Sequence, residues 1–146
     1  MSAQVFVIEG ELMALNEYVN ICRKHWSAGN KAKREQTDLV SAYIKKAHVK
    51  PYDGPVEIGI SWIEGKRRRR QLRDVDNVMF GTKFILDALK ECHVIHDDNP
   101  YFVRNVYSYF KFNAENPRIE VTVMDYDPRG RTVHYLPVTG LDEVKS

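Results

Sequence analysis

Two pairs of aspartates carry the chemistry that this chain can be read for. Asp74 and Asp76 stand one residue apart in RDVDN, and Asp97 and Asp98 follow in HDDNP after an intervening helical stretch. In extended chain, D-x-D spacing places both carboxylates on one side, and reversal through the following helix can return Asp98 beside them. Three carboxylates in one cleft repel one another unless a hard cation neutralises them, and all-oxygen ligation suits Mg²⁺ or Mn²⁺. Such an ion activates water and clamps a phosphodiester. Directly upstream, KRRRRQLR sets six cations between Lys66 and Arg73 with no acid among them, which would draw that phosphodiester in. Each feature alone has a plainer role. D-x-D before a helix caps it, Asp97-Asp98 before Asn-Pro makes a turn, and an arginine run is a solvated loop. Their order and spacing together favour the site.

The elements that must position these residues read as β-α-β-α-β-β. Val5 to Leu12 is a strand of β-formers ended by Gly10, and Lys31 to Val49 is a helix with Leu39, Val40, Tyr43, Ile44 and Ala47 on one stripe. Asn16 to Asn30 shows no firm period. Val56 to Ile63 alternates as a half-buried strand, with Val56, Ile58, Ile60 and Trp62 on one face. Phe84, Ile85, Ala88 and Leu89 mark a second helix, and Phe102 to Phe112 and Arg118 to Tyr126 are closing strands. The fold class is therefore α/β (α+β), a small single-domain mixed sheet with two main helices. Residues 1–127 form the domain, with 128–146 as a C-terminal tail.

Composition bounds the rest. The chain has 146 residues, 22 Lys and Arg against 20 Asp and Glu, and 43% hydrophobic residues. That suffices for one core without metal or disulfide staples. The six cations of the basic run leave the remainder formally −4, so positive charge is local, as for a polyanion contact. No apolar run approaches the roughly 20 residues of a membrane span. With no secretory signal pattern and only Cys22 and Cys92, the expectation is a cytoplasmic domain without a membrane partner.

Arg73-Asp74-Val75-Asp76-Asn77, then Lys83-Phe84-Ile85-Leu86-Asp87-Ala88-Leu89, then Val94-Ile95-His96-Asp97-Asp98 resembles the RusA family of Holliday junction resolvases. That family carries R-D-x-D-N, a K-x-x-x-D-A-L helix and a D-D pair at its end. The resemblance spans roughly Val5 to Asp125 and is specific over about thirty residues. It implies a RusA-like fold and a bacterial or phage-encoded, nucleoid-associated enzyme of recombination and repair. It further implies a Mg²⁺-dependent homodimer in which each subunit nicks one strand of a four-way DNA junction. Asp74, Asp76 and Asp98 would be the catalytic metal ligands, Lys83 would face the scissile phosphate, and Asp97 would support its neighbour. Arg73 and Asn77 would orient DNA or carboxylates. Lys66, Arg67, Arg68, Arg69 and Arg70 would grip DNA arms, with a salt slope of roughly −5 for six phosphate contacts.

One departure from the family concerns Lys83, which follows Asp76 by seven positions rather than four. A continuous helix would return Lys83 to the Asp76 face. Alternatively Gly81 interrupts the chain and Thr82 caps a helix starting at Lys83, which is the arrangement we favour. Asp87 reads as structural, salt-bridged on the helix. His93 with His96, and Cys22 with His25, lack the further ligands of a transition-metal site. The competing reading is a non-catalytic nucleic-acid-binding protein, in which the arginines supply affinity and the aspartates are caps.

Overall fold

Strong β-formers at alternate positions of VEIGISWIE favour an extended centre for the sheet. The computed structural model describes residues 3–65 and 72–130. These form β1 (Gln4–Glu9), α1 (Leu15–Lys24), α2 (Ala28–Lys46), β2 (Val56–Glu64), α3 (Val75–Met79), α4 (Thr82–Glu91), β3 (Val103–Phe112) and β4 (Arg118–Asp125). The fold is a small α+β domain, as the sequence implies, with each helical stage built as a pair. Its mixed sheet has the order β1-β4-β2-β3. β2 is parallel to β3 and antiparallel to β4, and β1 is antiparallel to β4.

One face of the sheet carries the helices. Phe6, Ile8, Ile58, Ile60, Trp62, Val121 and Val123 meet Val40 and Ile44 of α2 and Phe84, Ile85, Ala88 and Leu89 of α4. Contrary to the half-buried expectation, β2 is buried along both faces. Its place between β3 and β4 explains this. On the face away from the helices, Glu57 accepts a hydrogen bond from Asn105 Nδ2 at 2.6 Å, and Arg118 pairs with Glu120 at 3.2 Å on neighbouring β4. Buried polar groups are tolerated when paired in this way.

The stretch without a clear period holds α1, which has no buried residue. Its Tyr18 ring rests on Phe80 at 5.0 Å. Leu15, Tyr18, Val19 and Cys22 share one stripe of this helix, with polar residues filling most of the rest of its ten positions. α2 and α4 are joined at the surface by Arg34, whose guanidinium donates to both oxygens of Glu91 and to Asp38.

Between α3 and α4 the chain turns at Phe80 and Gly81. A Cβ on Gly81 would sit 3.1 Å from the Trp62 ring and 3.3 Å from Leu12 Cβ, so glycine lets this junction lie against the sheet. The interruption at Gly81 is thus present, but the N-cap is Gly81 itself, and Thr82 Oγ1 is buried without a hydrogen-bond partner among the described residues.

Phe84 is fully buried and meets Phe80 edge-on at 5.3 Å. Phe84→Ala is expected to cost about 3–5 kcal/mol, seen in urea denaturation as a lower midpoint with unchanged slope.

Candidate active site

Arg73 is the residue from which the site is built. It is the last cation of the basic run and ends up inside, its side chain 14% exposed. Nε and Nη2 donate to the two carboxylate oxygens of Glu64 at 2.8 and 3.0 Å, and Nη1 donates to the Leu12 carbonyl at 3.0 Å. Glu11 stands 3.9 Å away. Burial pushes the Glu64 carboxyl up, and its hydrogen bond with Glu11 pushes the same way, against the pull of Arg73. The planar guanidinium suits this two-pronged grip. Its effect is to fasten the chain just before Asp74 to the last residue of β2.

Asp74 then takes extended geometry as the N-cap of α3, yet its side chain makes no capping hydrogen bond. Asp76 lies in the first turn, where one of its oxygens accepts the Asn77 N–H at 3.0 Å. The pair therefore straddles a helix start rather than lying along extended chain. Both residues are exposed. Asn77 uses its side-chain oxygen to accept the Asn16 N–H at 3.3 Å, tying α3 to α1. Lys83, in the first turn of α4, sits 3.6 Å from Asp87, the intrahelical pair that the sequence suggested.

Asp97 and Asp98 follow α4. Asp97 is fully engaged: Oδ1 accepts the Asp98 N–H at 2.8 Å and faces Lys90 Nζ at 3.0 Å, while Oδ2 accepts Asn99 Nδ2 at 3.0 Å. The Lys90 bond and the Asp98 N–H hold its carboxyl down at about 2. Asp98 has a distant charge contact with Lys90, at 4.0 Å, and its side chain also interacts with Asp97. Lys90 escaped the sequence reading. Its signal was its position seven residues after Lys83, which places both lysines on one helix face.

The two aspartate groups do not meet within one chain. Asp74 is fastened through Arg73 to Glu64, at the C-terminal end of β2. Asp98 precedes a loop whose Phe102 carbonyl accepts the N–H of Val56, at the N-terminal end of that strand. Nine residues of strand separate these anchors, roughly 26 Å at the usual rise. The expected return of Asp98 through helix reversal is corrected on this point. A connection between parallel strands carries the chain back to the opposite end of the sheet. Among the described residues, no three His, Cys, Asp or Glu side chains are gathered to hold a metal ion. Lys66, Arg67, Arg68, Arg69 and Arg70 lie outside the described residues, as do 131–146 of the expected tail.

No helix among the described residues is long and apolar enough to cross a membrane. The family model of endodeoxyribonuclease RusA matches residues 22–124, well over half the chain. The chain belongs to the RusA family, which implies a Holliday-junction-resolving endonuclease. No curated protein sequence matches it.

Two outcomes follow from these contacts. Arg73→Met leaves Glu64 and Glu11 without their cation and is expected to cost about 3 kcal/mol, with Glu64→Gln in the same chain restoring part of it in denaturant titrations. A carboxyl held below its unfolded value contributes stability above about pH 4 and loses it as pH falls through the folded value. Carboxyl NMR should therefore show Asp97 titrating near pH 2, and Lys90→Met should move it up toward the ordinary range.

Proposed function

We propose that this chain is a divalent-metal-dependent endodeoxyribonuclease. It resolves four-way DNA junctions by paired nicks in recombination and repair, working as a homodimer in the cytoplasm. What supports the reading is the family match over residues 22–124, together with an exposed Asp74 and a partly exposed Asp98 that are not consumed by capping or a close ion pair.

A cation held by Asp74 and Asp76 of one subunit and Asp98 of the partner subunit satisfies the separation of the two acidic groups within one chain. Mg²⁺ is commonly held by one or two protein carboxylates plus water and phosphate, so Asp74 and Asp76 supply its main anchor. Mn²⁺ suits the same oxygens. When bound, the ion supplies an activated water and a clamp on the phosphodiester. The chain's own residues do the rest. Arg73 holds Asp74 in place from inside the protein, a positioning role in place of direct DNA contact. Asn77 fixes α3 against α1. Lys83, at the same end of the sheet as Asp74, neutralises charge developing on the phosphate oxygens. Asp97, locked by Lys90 and Asn99, sets the backbone from which Asp98 projects. Lys66 and Arg67 to Arg70 draw in the DNA arms. Hydrolysis leaves 5′-phosphate and 3′-hydroxyl ends. Two-fold symmetry gives two equivalent shared sites for the two equivalent strands of a junction.

A synthetic junction should be nicked symmetrically in Mg²⁺ and left whole with chelator. Asp74→Asn and Asp98→Asn should each abolish nicking, with Asp74→Asn preserving or tightening junction binding because carboxylate–phosphate repulsion is lost. A mixed dimer of these two variants retains one intact shared site, so it should cut one strand per junction. No cutting by the mixed dimer would reject sharing between subunits. Nicking that survives Asp74→Asn would reject the metal site, and a junction shifted but never cut would favour the non-catalytic binder.

A further inference from the structure

The corner between α1 and α2 carries a feature that the metal site does not use. Trp26 is 82% exposed there, in a domain whose other tryptophan, Trp62, is buried and donates to Ser108 Oγ at 3.1 Å. Residues 18–34 contain Arg23, Lys24, Lys31, Lys33 and Arg34 and no acid. Arg34 is committed to Asp38 and Glu91, and Lys31 has only a loose contact with Glu35 at 4.0 Å. Among the described residues no carboxylate pairs with Arg23, Lys24 or Lys33.

The corner is held in shape. The Ser27 N–H donates to His25 Nδ1 at 3.1 Å, with Ser27 Oγ 2.7 Å from the same nitrogen. The Ala28 N–H donates to the His25 carbonyl at 3.1 Å, and the Lys31 N–H to the Ser27 carbonyl at 3.2 Å. The His25 ring lies 5.6 Å from the Trp26 ring at 31°, bracing one side of the indole.

We infer that this corner is a second DNA contact of the enzyme, in which Trp26 stacks on an unpaired or splayed base at the branch point while Arg23 and Lys24 bind the flanking phosphates. An indole in water gains by stacking on any base, and nearby cations draw in the backbone that carries it. A four-way junction supplies such bases at its crossover more readily than continuous duplex does. The same charge argues against a second copy of this chain as the occupant, since two such corners meeting across a two-fold axis would set like charges face to face. The inference rests on the proposed function only for the identity of the DNA.

The test uses the full chain in chelator, so that binding is separated from cutting, with a synthetic four-way junction and tryptophan-selective excitation. Saturating junction should quench or shift Trp26 emission, and Trp26→Phe should abolish that response because Trp62 is shielded. Trp26→Ala should weaken junction binding roughly 5- to 100-fold. Replacing Arg23 and Lys24 by Gln should reduce the magnitude of the salt slope by about 2. Unchanged emission at saturation, or Trp26→Ala binding as tightly as the parent, would overturn the inference. So would Trp26→Ala dissociating a dimer in sedimentation with DNA affinity unchanged. An intact emission response without nicking in Mg²⁺ would sink the nuclease mechanism alone, and nicking without the response would sink this inference alone.

Discussion

The parallel pairing of β2 with β3 is the constraint on which the rest of the structure depends. Its register aligns the start of β2 with the start of β3, so the segment joining them must travel the length of the sheet. α3 and α4 are that journey. They form over the apolar face that the sheet offers, and the acidic residues flanking them are parted as a result. The same pairing makes β2 a central strand, buried on both sides, and gives Arg73 a fixed carboxylate to grip at its end.

Much of this was legible in the residues. Alternation marked β2 and the two closing strands, the latter parted by the turn-rich Asn113 to Pro117, and Phe84, Ile85, Ala88 and Leu89 located α4 by spacing alone. The ordered motif from Arg73 to Asp98 led to the family, which the match over residues 22–124 bears out. What stayed hidden was set by tertiary geometry. Strand direction is not written in the alternation of β2 or β3, so nothing in the sequence said that Asp98 would be carried away from Asp74. α1 was missed although Leu15, Tyr18, Val19 and Cys22 recur at helical spacing, because the helix is short, mostly polar and buries nothing fully. Arg73 sits beside four exposed-looking arginines in sequence, and its partners Glu64 and Glu11 are supplied by other elements.

Charge in the site is divided in a consistent way. In each acidic pair one member is tied down by the chain, Asp76 by its neighbour's N–H and Asp97 by Lys90, Asn99 and Asp98's own N–H. The other member, Asp74 or Asp98, is the less encumbered. Exposed ion pairs contribute little to stability by themselves, so the value of the Lys90–Asp97 contact lies in fixing a loop. Arg73–Glu64 is different in kind, because both charges are mostly withdrawn from water and losing either strands the other.

The sheet order has one further consequence. Among the described residues β1 borders β4 alone, pairing Gln4 with Val123 and Glu9 with Arg118, so the first of these strands to be made is housed by the last of them. During synthesis the amino-terminal segment must wait, unpaired, while nearly the whole domain emerges. Closure of the sheet is thus a late, long-range event that taxes the rate of folding, and a chain shortened before β4 would leave Phe6 and Ile8 with no strand to lie beside.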